Sequence, residues 1–270
     1  MEDIAKGVKN FSAALDGLEI NHAKPDAELY HCPLCRDTGW ILEEEVARPC
    51  VCKKRLEQSL RQERSGIPLK LRHYSFQNFR LAYYSRDLVP DSSISYYELA
   101  KRALDTCVSF STKFLKNPAL PGLLISGQAG SGKTHLAAAT ANRLVSQGKE
   151  VLFLVVPEFL DQLRGSYRQE NEGLDELELV KRAYDAPVLI MDDLGAHNFT
   201  PWVQGKLFTI FNYRINRDLP CIVTTNLSSA ELKAQIGERI FSRLLEGCQF
   251  LQLSIQKDIR FALRPKDMRE

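Results

Sequence analysis

Residues 127–134 read Gly-Gln-Ala-Gly-Ser-Gly-Lys-Thr, a complete match to the phosphate-binding pattern G-x-x-x-x-G-K-[ST]. Glycines allow the tight turn that directs backbone N–H groups at a triphosphate, and the following helix adds its positive end. In this pattern Lys133 reaches the β- and γ-phosphates, and the Thr134 hydroxyl binds Mg²⁺. The sequence therefore predicts a nucleoside triphosphate site formed by Gly127, Gln128, Ala129, Gly130, Ser131, Gly132, Lys133, Thr134 and His135.

The residues around this P-loop alternate between strand and helix patterns. The apolar run 122–126 precedes the loop, and residues 135–147 have apolar side chains at helical spacing. Later apolar runs follow, separated by helical stretches, at 151–155, 188–191, 221–224 and 250–253. Because these runs are continuously apolar, their strands are buried on both faces, which is typical of parallel sheets. We predict a three-layer α/β domain, with a parallel sheet between helices.

Polar residues follow two of these predicted strands. Asp192 and Asp193 end one strand, and Asn226 follows the next. In P-loop proteins an acid in the first position holds Mg²⁺, so we assign that role to Asp192. Asp193 is then the candidate general base, and Asn226 the candidate for contacting the γ-phosphate or the attacking water. The alternatives are a solvent-facing acid pair and an ordinary turn asparagine.

Arg239 and Arg243 are four residues apart and share a helix face. Their spacing alone leaves two interpretations open. They are either surface ion-pair residues, or one of them is an arginine finger that reaches the nucleotide of a neighbouring subunit.

An ordered set of motifs carries a family resemblance. It consists of the P-loop, Leu-Ile-Met-Asp-Asp-Leu-Gly (189–195), Thr-Thr-Asn (224–226) and Glu-Arg-Ile-Phe-Ser-Arg-Leu (238–244). Over residues 66–255 the chain resembles the AAA+ ATPases of the DnaC/DnaI helicase-loader group, and the related IstB-type transposition helpers share much of the set. The resemblance implies that Arg243 is the finger and Arg239 its support. It also implies that a helical lid is absent, with Arg260 as a substitute lid arginine.

One position departs from the pattern of many AAA+ ATPases. They end the acidic strand in Asp-Glu, whereas this chain has Asp192-Asp193. The shorter second side chain lies farther from the attacking water. We therefore expect Mg²⁺-dependent ATP hydrolysis that is slow and stimulated by a partner or DNA.

Four of the seven cysteines form two close pairs, Cys32 with Cys35 and Cys50 with Cys52. Two pairs separated by a short excursion are the pattern of a tetrahedral Zn²⁺ site. The alternatives are an iron–sulfur cluster or no metal. His31 and His73 are reserve ligands for a metal at this site. The remaining cysteines are expected to be packing residues: Cys107, Cys221 and Cys248.

Composition excludes several classes of protein. The net charge of the 270 residues is +2, no apolar stretch is long enough to span a membrane, and the N-terminus lacks a signal-peptide core. We therefore expect a cytoplasmic protein with reduced cysteines and no membrane partner. Residues 48–72 contain eight basic and two acidic residues, which predicts either a solvated helix or a contact with nucleic acid or an acidic partner.

The chain is predicted to have two domains. Residues 1–65 form a zinc-binding, partner-docking module, and residues 66–270 form the ATPase. Within the first 29 residues, apolar side chains at helical spacing suggest an amphipathic helix: Val8, Phe11, Leu15 and Leu18.

Two groups combine basic and aromatic residues, as single-strand binding sites do. They are Arg164, Tyr167 and Arg168, and then Tyr213, Arg214 and Arg217. Each group alone is better explained by packing and solvated charge. The resemblance, whose members bind single-stranded DNA, favours a DNA surface somewhere on this domain.

Together these observations predict an ATP-dependent loader of a hexameric replicative helicase onto single-stranded DNA, which assembles as a homo-oligomer when ATP is bound. The main competing hypothesis is an IstB-type transposition helper that coats DNA. A small-molecule kinase is a further hypothesis, but no acceptor pocket or arginine-rich lid is evident. The last is a zinc-dependent adaptor that binds nucleotide without hydrolysing it.

Overall fold

The computed structural model describes residues 30–43, 46–166, 173–196 and 199–260. The chain divides into two compact units, Met1–Arg55 and Leu56–Glu270. The strands are β1 (Trp40–Glu43), β2 (Val46–Pro49), β3 (Gly122–Ser126), β4 (Val151–Val155), β5 (Val188–Asp192), β6 (Cys221–Thr225) and β7 (Cys248–Gln252). The helices are α1 (Val51–Arg64), α2 (Tyr96–Phe114), α3 (Lys133–Ser146), α4 (Val156–Ser166), α5 (Gly173–Asp185), α6 (Pro201–Ile215), α7 (Ser229–Ile236) and α8 (Glu238–Gly247).

Five strands form one parallel sheet in the order β4-β5-β6-β3-β7. All their carboxyl ends therefore lie at one edge, where the P-loop follows β3 and Asp192 ends β5. The close approach of β3 to β6 requires Gly122, because a Cβ atom there would collide with the Cys221 carbonyl oxygen.

Alternate residues of each strand enter two separate cores. Leu123 and Ile125 pack with residues of α2 and α3 in one core, whereas Leu124 packs in the other with residues of α4 to α8. The sheet is thus covered by helices on both faces, and the predicted three-layer parallel fold is confirmed.

Local side-chain signals fix where helices begin. Ser95 precedes α2, and its hydroxyl accepts a hydrogen bond from the Glu98 backbone N–H, while the Glu98 carboxylate accepts one from the Ser95 N–H. These reciprocal bonds satisfy two donors that a helix start otherwise leaves unpaired. Before α6, Thr200 caps the helix and Pro201 occupies its first position.

Two predicted starting residues differ from the structure. The helix after the P-loop begins at Lys133 rather than His135, because the P-loop's last two residues already form its first turn. The last strand begins at Cys248, two residues before the predicted run, because α8 leads into it directly. The predicted helix of Val8–Leu18 lies outside the described residues. None of the described helices has the length and apolar character that crossing a bilayer requires.

In the N-terminal unit, β1 and β2 form an antiparallel hairpin in which Trp40 pairs with Pro49. The described core of this unit consists of Cys32, Cys35 and Cys50, with Ile41 and Cys52 packed against them. An apolar core this small cannot support a fold alone. Among the described residues of this unit, the cysteine cluster is therefore the main source of cohesion.

Candidate functional site

The P-loop connects β3 to α3 and is held from the side by aromatic residues. Gly130 and Gly132 have φ angles of 72° and 93°, in the left-handed region that favours glycine. Tyr84 donates from its hydroxyl to the Ser131 carbonyl oxygen at 2.7 Å. A Cβ atom on Gly132 would lie 2.8 Å from the Tyr84 hydroxyl oxygen and 3.0 Å from the Phe79 ring, so another residue there would be both crowded and strained.

Three side chains and one backbone N–H form a largely buried network under the loop. The Thr134 hydroxyl donates to Asp192 Oδ1 at 3.0 Å, and the Thr224 hydroxyl donates to the same oxygen at 2.6 Å. Thr224 Oγ1 also accepts from the backbone N–H of Asp193 at 2.9 Å. The network thus connects α3, β5 and β6 at the edge where the strands end.

Burial shifts the pKa values of Lys133 and Asp192. Lys133 is 4% exposed and donates from Nζ to the Gln128 carbonyl oxygen at 2.8 Å. Burial lowers the pKa of Lys133 to about 8 and raises the pKa of Asp192 to about 6. Both groups therefore gain from ligands of opposite charge, an anion at Lys133 and a cation at Asp192. A hydroxyl, a buried carboxylate and a buried ammonium beside a P-loop fit a magnesium-bound triphosphate.

Asp193 and Asn226 lie at the same edge. Asp193 has a φ of 60° and is partly exposed, and Asn226 is exposed directly after β6. The His135 ring, by contrast, is engaged elsewhere. Its Nε2 is 2.9 Å from the Ser75 carbonyl oxygen, and it stacks on Tyr74 at 4.4 Å between ring centroids. His135 thus anchors the segment before α2 to the start of α3.

Arg239 and Arg243 lie on α8, as predicted. The Arg239 guanidinium lies 4.6 Å from the centroid of the Phe208 ring, and Arg243 pairs with Glu246 at 2.7 Å. These partners do not belong to the P-loop network. Within this chain the arginines contact their own helix and α6.

The segment after β7 crosses the P-loop, which the sequence did not indicate. The Asp258 carboxylate packs against Gly130, and the Ile259 N–H donates to the Gly130 carbonyl oxygen at 3.4 Å. Arg260 Nε lies 3.7 Å from Asp258 Oδ1. Arg260, which the resemblance suggested as a substitute lid residue, therefore pairs with an acid beside the phosphate loop.

Thr224 is a second residue that sequence reasoning missed. Thr224 is fully buried. Its hydroxyl donates to the Asp192 carboxylate and accepts from the backbone N–H of Asp193. The available signal was two threonines at the end of an otherwise apolar strand.

The four paired cysteines converge on one point. All four Sγ atoms lie within 4.8 Å of one another, with Cys32 and Cys50 at 3.7 Å and Cys35 and Cys52 at 3.2 Å. Four sulfurs around Zn²⁺ at about 2.3 Å are separated by about 3.8 Å, so the set fits a tetrahedral zinc site. Among the described residues this group contains no histidine. The three remaining cysteines are buried, as expected for packing residues.

The structure corrects one DNA-binding candidate. Arg214 is fully buried and donates to the carbonyl oxygens of Ala183, Tyr184 and Pro220, each at 2.9 Å. Arg214 thus connects the end of α5 to the residue before β6, and it cannot reach DNA. Its position on the apolar face of α6, with Leu207 and Phe211, was the signal.

The remaining DNA-binding candidates differ in their surroundings. The Tyr213 ring stacks on Tyr184 and has the Arg217 guanidinium 3.8 Å from its centroid, so it already has two close partners within the chain. Arg164 is exposed and lies 3.6 Å from Asp161. Tyr167 and Arg168 lie outside the described residues.

Comparison with known proteins places the chain in a family. The family model described as "IstB-like ATP binding protein" matches residues 96–258. The replicative helicase loader DnaI of Bacillus subtilis (strain 168) is 34% identical over 146 residues, which cover 51% of this chain and 46% of that protein. The replicative helicase loader DnaC of Escherichia coli (strain K12) is 27% identical over 184 residues, which cover 68% of each.

The fold comparison agrees. A crystal structure of the DnaC helicase loader matches 68% of this chain and 99% of that chain, with a TM-score of 0.55 and 27% identity. The sequence match to DnaI, by contrast, spans less than half of that protein's length.

Proposed function

The chain belongs to the family of IstB-like ATP-binding proteins, and we propose that it loads a replicative DNA helicase onto single-stranded DNA under the control of bound ATP. One observation carries the proposal: the similarity to two replicative helicase loaders, in a chain whose P-loop lies over the buried network of Thr134, Asp192 and Thr224. We assign the ATPase to residues 66–270 and partner docking to the zinc-binding module, residues 1–65.

Each residue of the site has a distinct role in this proposal. Lys133 binds the terminal phosphates, and Thr134 with Asp192 holds Mg²⁺. Asp193 accepts the proton of the attacking water, and Asn226 orients that water or the γ-phosphate. Bound ATP supplies the phosphoryl group whose release changes the state of the assembly. The short Asp193 side chain makes hydrolysis slow, and a partner or DNA stimulates it.

Thr224 acts as a positioning residue for this chemistry. Thr224→Val removes the donor to Asp192 and the acceptor for the Asp193 N–H while preserving volume. Because hydrogen bonds to charged groups contribute about 1.5–3 kcal/mol, we expect kcat for ATP hydrolysis to fall about tenfold to a hundredfold. Steady-state kinetics should show a smaller change in KM.

Thr225→Val is the matched control. Thr225 is equally buried, but its hydroxyl accepts from the Leu227 N–H at 3.2 Å instead of contacting an acid. Thr224→Ser should restore most of the activity. Equal losses of kcat in the two valine variants would mean that Thr224 acts only through stability.

Arg243 is proposed to complete the site of a neighbouring subunit, with Arg239 supporting it. An arginine finger contributes a factor of about 10³ or more to phosphoryl transfer, so Arg243→Ala should lower ATPase activity at least about a hundredfold. It should also weaken ATP-dependent assembly, measured by light scattering. Lys233→Ala on α7, which removes an exposed ion pair with Glu238, should change neither.

Mixing two inactive variants tests action across a subunit boundary. An Arg243→Ala subunit keeps an intact P-loop, and a Lys133→Met subunit keeps an intact Arg243. Mixed assemblies therefore contain some interfaces at which these two intact parts meet. We expect part of the ATPase activity to return on mixing. Activity that stays at the level of the separate variants would contradict the finger assignment.

The proposed function itself is tested by helicase loading. The purified chain with ATP and Mg²⁺ should co-purify with its replicative helicase and raise helicase retention on circular single-stranded DNA that lacks free ends. Failure to bind any replicative helicase from the same organism would refute the loader proposal.

An IstB-type transposition helper remains the second candidate because the matching family is described as IstB-like. A transposition helper would bind duplex DNA cooperatively and retain a transposase rather than a helicase. The cysteine cluster favours the loader, because we propose that it folds a separate module for docking a helicase.

A further inference from the structure

The middle of the P-loop is hydrogen-bonded to a residue that lies 47 positions earlier in the chain. The Tyr84 hydroxyl donates to the Ser131 carbonyl oxygen at 2.7 Å, and the Tyr84 side chain is buried. Burial raises the pKa of Tyr84, because the charged phenolate is disfavoured away from water. The phenol therefore stays protonated at neutral pH and remains a hydrogen-bond donor to the loop.

This hydrogen bond fixes the orientation of one peptide unit. The unit between Ser131 and Gly132 is planar and trans, so its carbonyl oxygen and its N–H point in opposite directions. Tyr84 holds the carbonyl oxygen, and the Gly132 N–H consequently faces away from Tyr84. In a P-loop the backbone N–H groups that point to the inner side bind the α- and β-phosphates. Tyr84 thus lies on the outer side of the loop and determines which way an inward N–H points.

The Tyr84 ring is supported by the aromatic residues beside it. Phe79 stacks on Tyr84 at 5.6 Å between ring centroids and packs edge-on against His135 at 5.3 Å. His135 belongs to the first turn of α3, directly after the P-loop. The tyrosine is therefore packed against the same helix that the P-loop begins.

The backbone around Tyr84 is held as well. The Tyr84 N–H donates to the Leu81 carbonyl oxygen at 3.1 Å, and the Tyr97 N–H donates to the Ser85 carbonyl oxygen at 2.8 Å. Tyr97 lies in the first turn of α2, whose start is capped by Ser95. The hydroxyl is thus presented to the loop by a segment that is bonded to α2.

We propose that Tyr84 is a positioning residue for nucleotide binding, an inference that rests on the proposed role of the P-loop as the ATP site. Tyr84 orients the Ser131–Gly132 peptide so that the Gly132 N–H is directed at the phosphates before the nucleotide binds. Such preorganisation raises affinity, because the loop loses less conformational freedom on binding. ATP and ADP both carry the α- and β-phosphates, so Tyr84 raises the affinity for both nucleotides alike.

Tyr84→Phe tests this role in the full chain with Mg²⁺, because it removes the hydroxyl and keeps the ring. Since one neutral hydrogen bond is lost, we expect the Kd values for ATP and ADP to rise together by about threefold to tenfold in isothermal titration. KM should rise by the same factor, because slow hydrolysis makes KM equal to Kd, while kcat should change less than about twofold.

Tyr83→Phe is the matched control. Tyr83 is the neighbouring residue and is half-buried, and its hydroxyl has no hydrogen-bond partner in the part of the chain that the structure describes. Its removal should change neither Kd nor kcat.

Three results would overturn the assignment. Unchanged affinities with a lower melting temperature of the nucleotide-free chain would mean that the Tyr84 hydroxyl supports only the fold. A higher Kd for ATP without a higher Kd for ADP would place the effect at the γ-phosphate instead of the Ser131–Gly132 peptide. A fall in kcat at unchanged KM would mean that Tyr84 acts on hydrolysis rather than on binding.

These outcomes are separate from those that test the loader proposal. At saturating ATP the P-loop of the Tyr84→Phe chain is filled, so this chain should retain helicase on circular single-stranded DNA like the wild type. If Tyr84→Phe weakens nucleotide binding as expected but the wild-type chain retains no helicase, the loader proposal alone is refuted.

Discussion

Lys133→Met should remove ATP binding almost completely while leaving the fold intact. Lys133 is the buried cation of the site, and its charge is disfavoured by burial until an anion is present. Methionine keeps the apolar stem but provides no charge for the phosphates. Loss of charge-assisted hydrogen bonds contributing about 3 kcal/mol lowers affinity at least about a hundredfold.

Isothermal titration with a non-hydrolysable ATP analogue measures this loss, and the melting temperature without nucleotide checks the fold. Lys101→Met is the matched control, because Lys101 is exposed on α2 outside the site. An unchanged affinity in Lys133→Met would mean that the P-loop does not bind the triphosphate. The Asp192, Thr134 and Arg243 assignments would then lose their basis.

Cys35→Ser should release the zinc and unfold the N-terminal module, which is the second large effect. The described core of that unit is little more than the cysteines themselves, so the metal supplies most of its folding free energy. We expect the zinc content to fall from one ion per chain to nearly none. Protection of the β1–β2 hairpin from hydrogen exchange should disappear with it.

ATP affinity should survive this change, because the residues of the P-loop network all belong to the second unit. Helicase binding should be lost. Cys107→Ala, which removes a buried cysteine outside the cluster, should leave the zinc content unchanged. A wild-type chain purified without chelators that contains no zinc would contradict the metal assignment.

The parts of the fold that depend on local pattern were predictable. The P-loop, the apolar strands and the paired cysteines each occupy a short stretch of sequence, and the structure contains all of them. Asp192 was predictable too, because carboxyl ends of parallel strands meet at one edge and a buried strand ending in acids points there.

The missed residues depend on contacts between distant parts of the chain. Thr224 reaches Asp192 because β6 lies beside β5, an order that no single stretch reveals. Asp258 reaches the P-loop because β7 pairs with β3, so the chain leaving β7 passes the loop that leaves β3. Arg214 was misassigned because its charge was given more weight than its position on an apolar helix face.

The crossing of the P-loop by Asp258 and Ile259 joins the segment that follows β7 directly to the phosphate loop. Tension applied behind Arg260 is therefore transmitted to Gly130 through two residues. A force on residues 258–260 would therefore act on the loop that we propose holds the nucleotide.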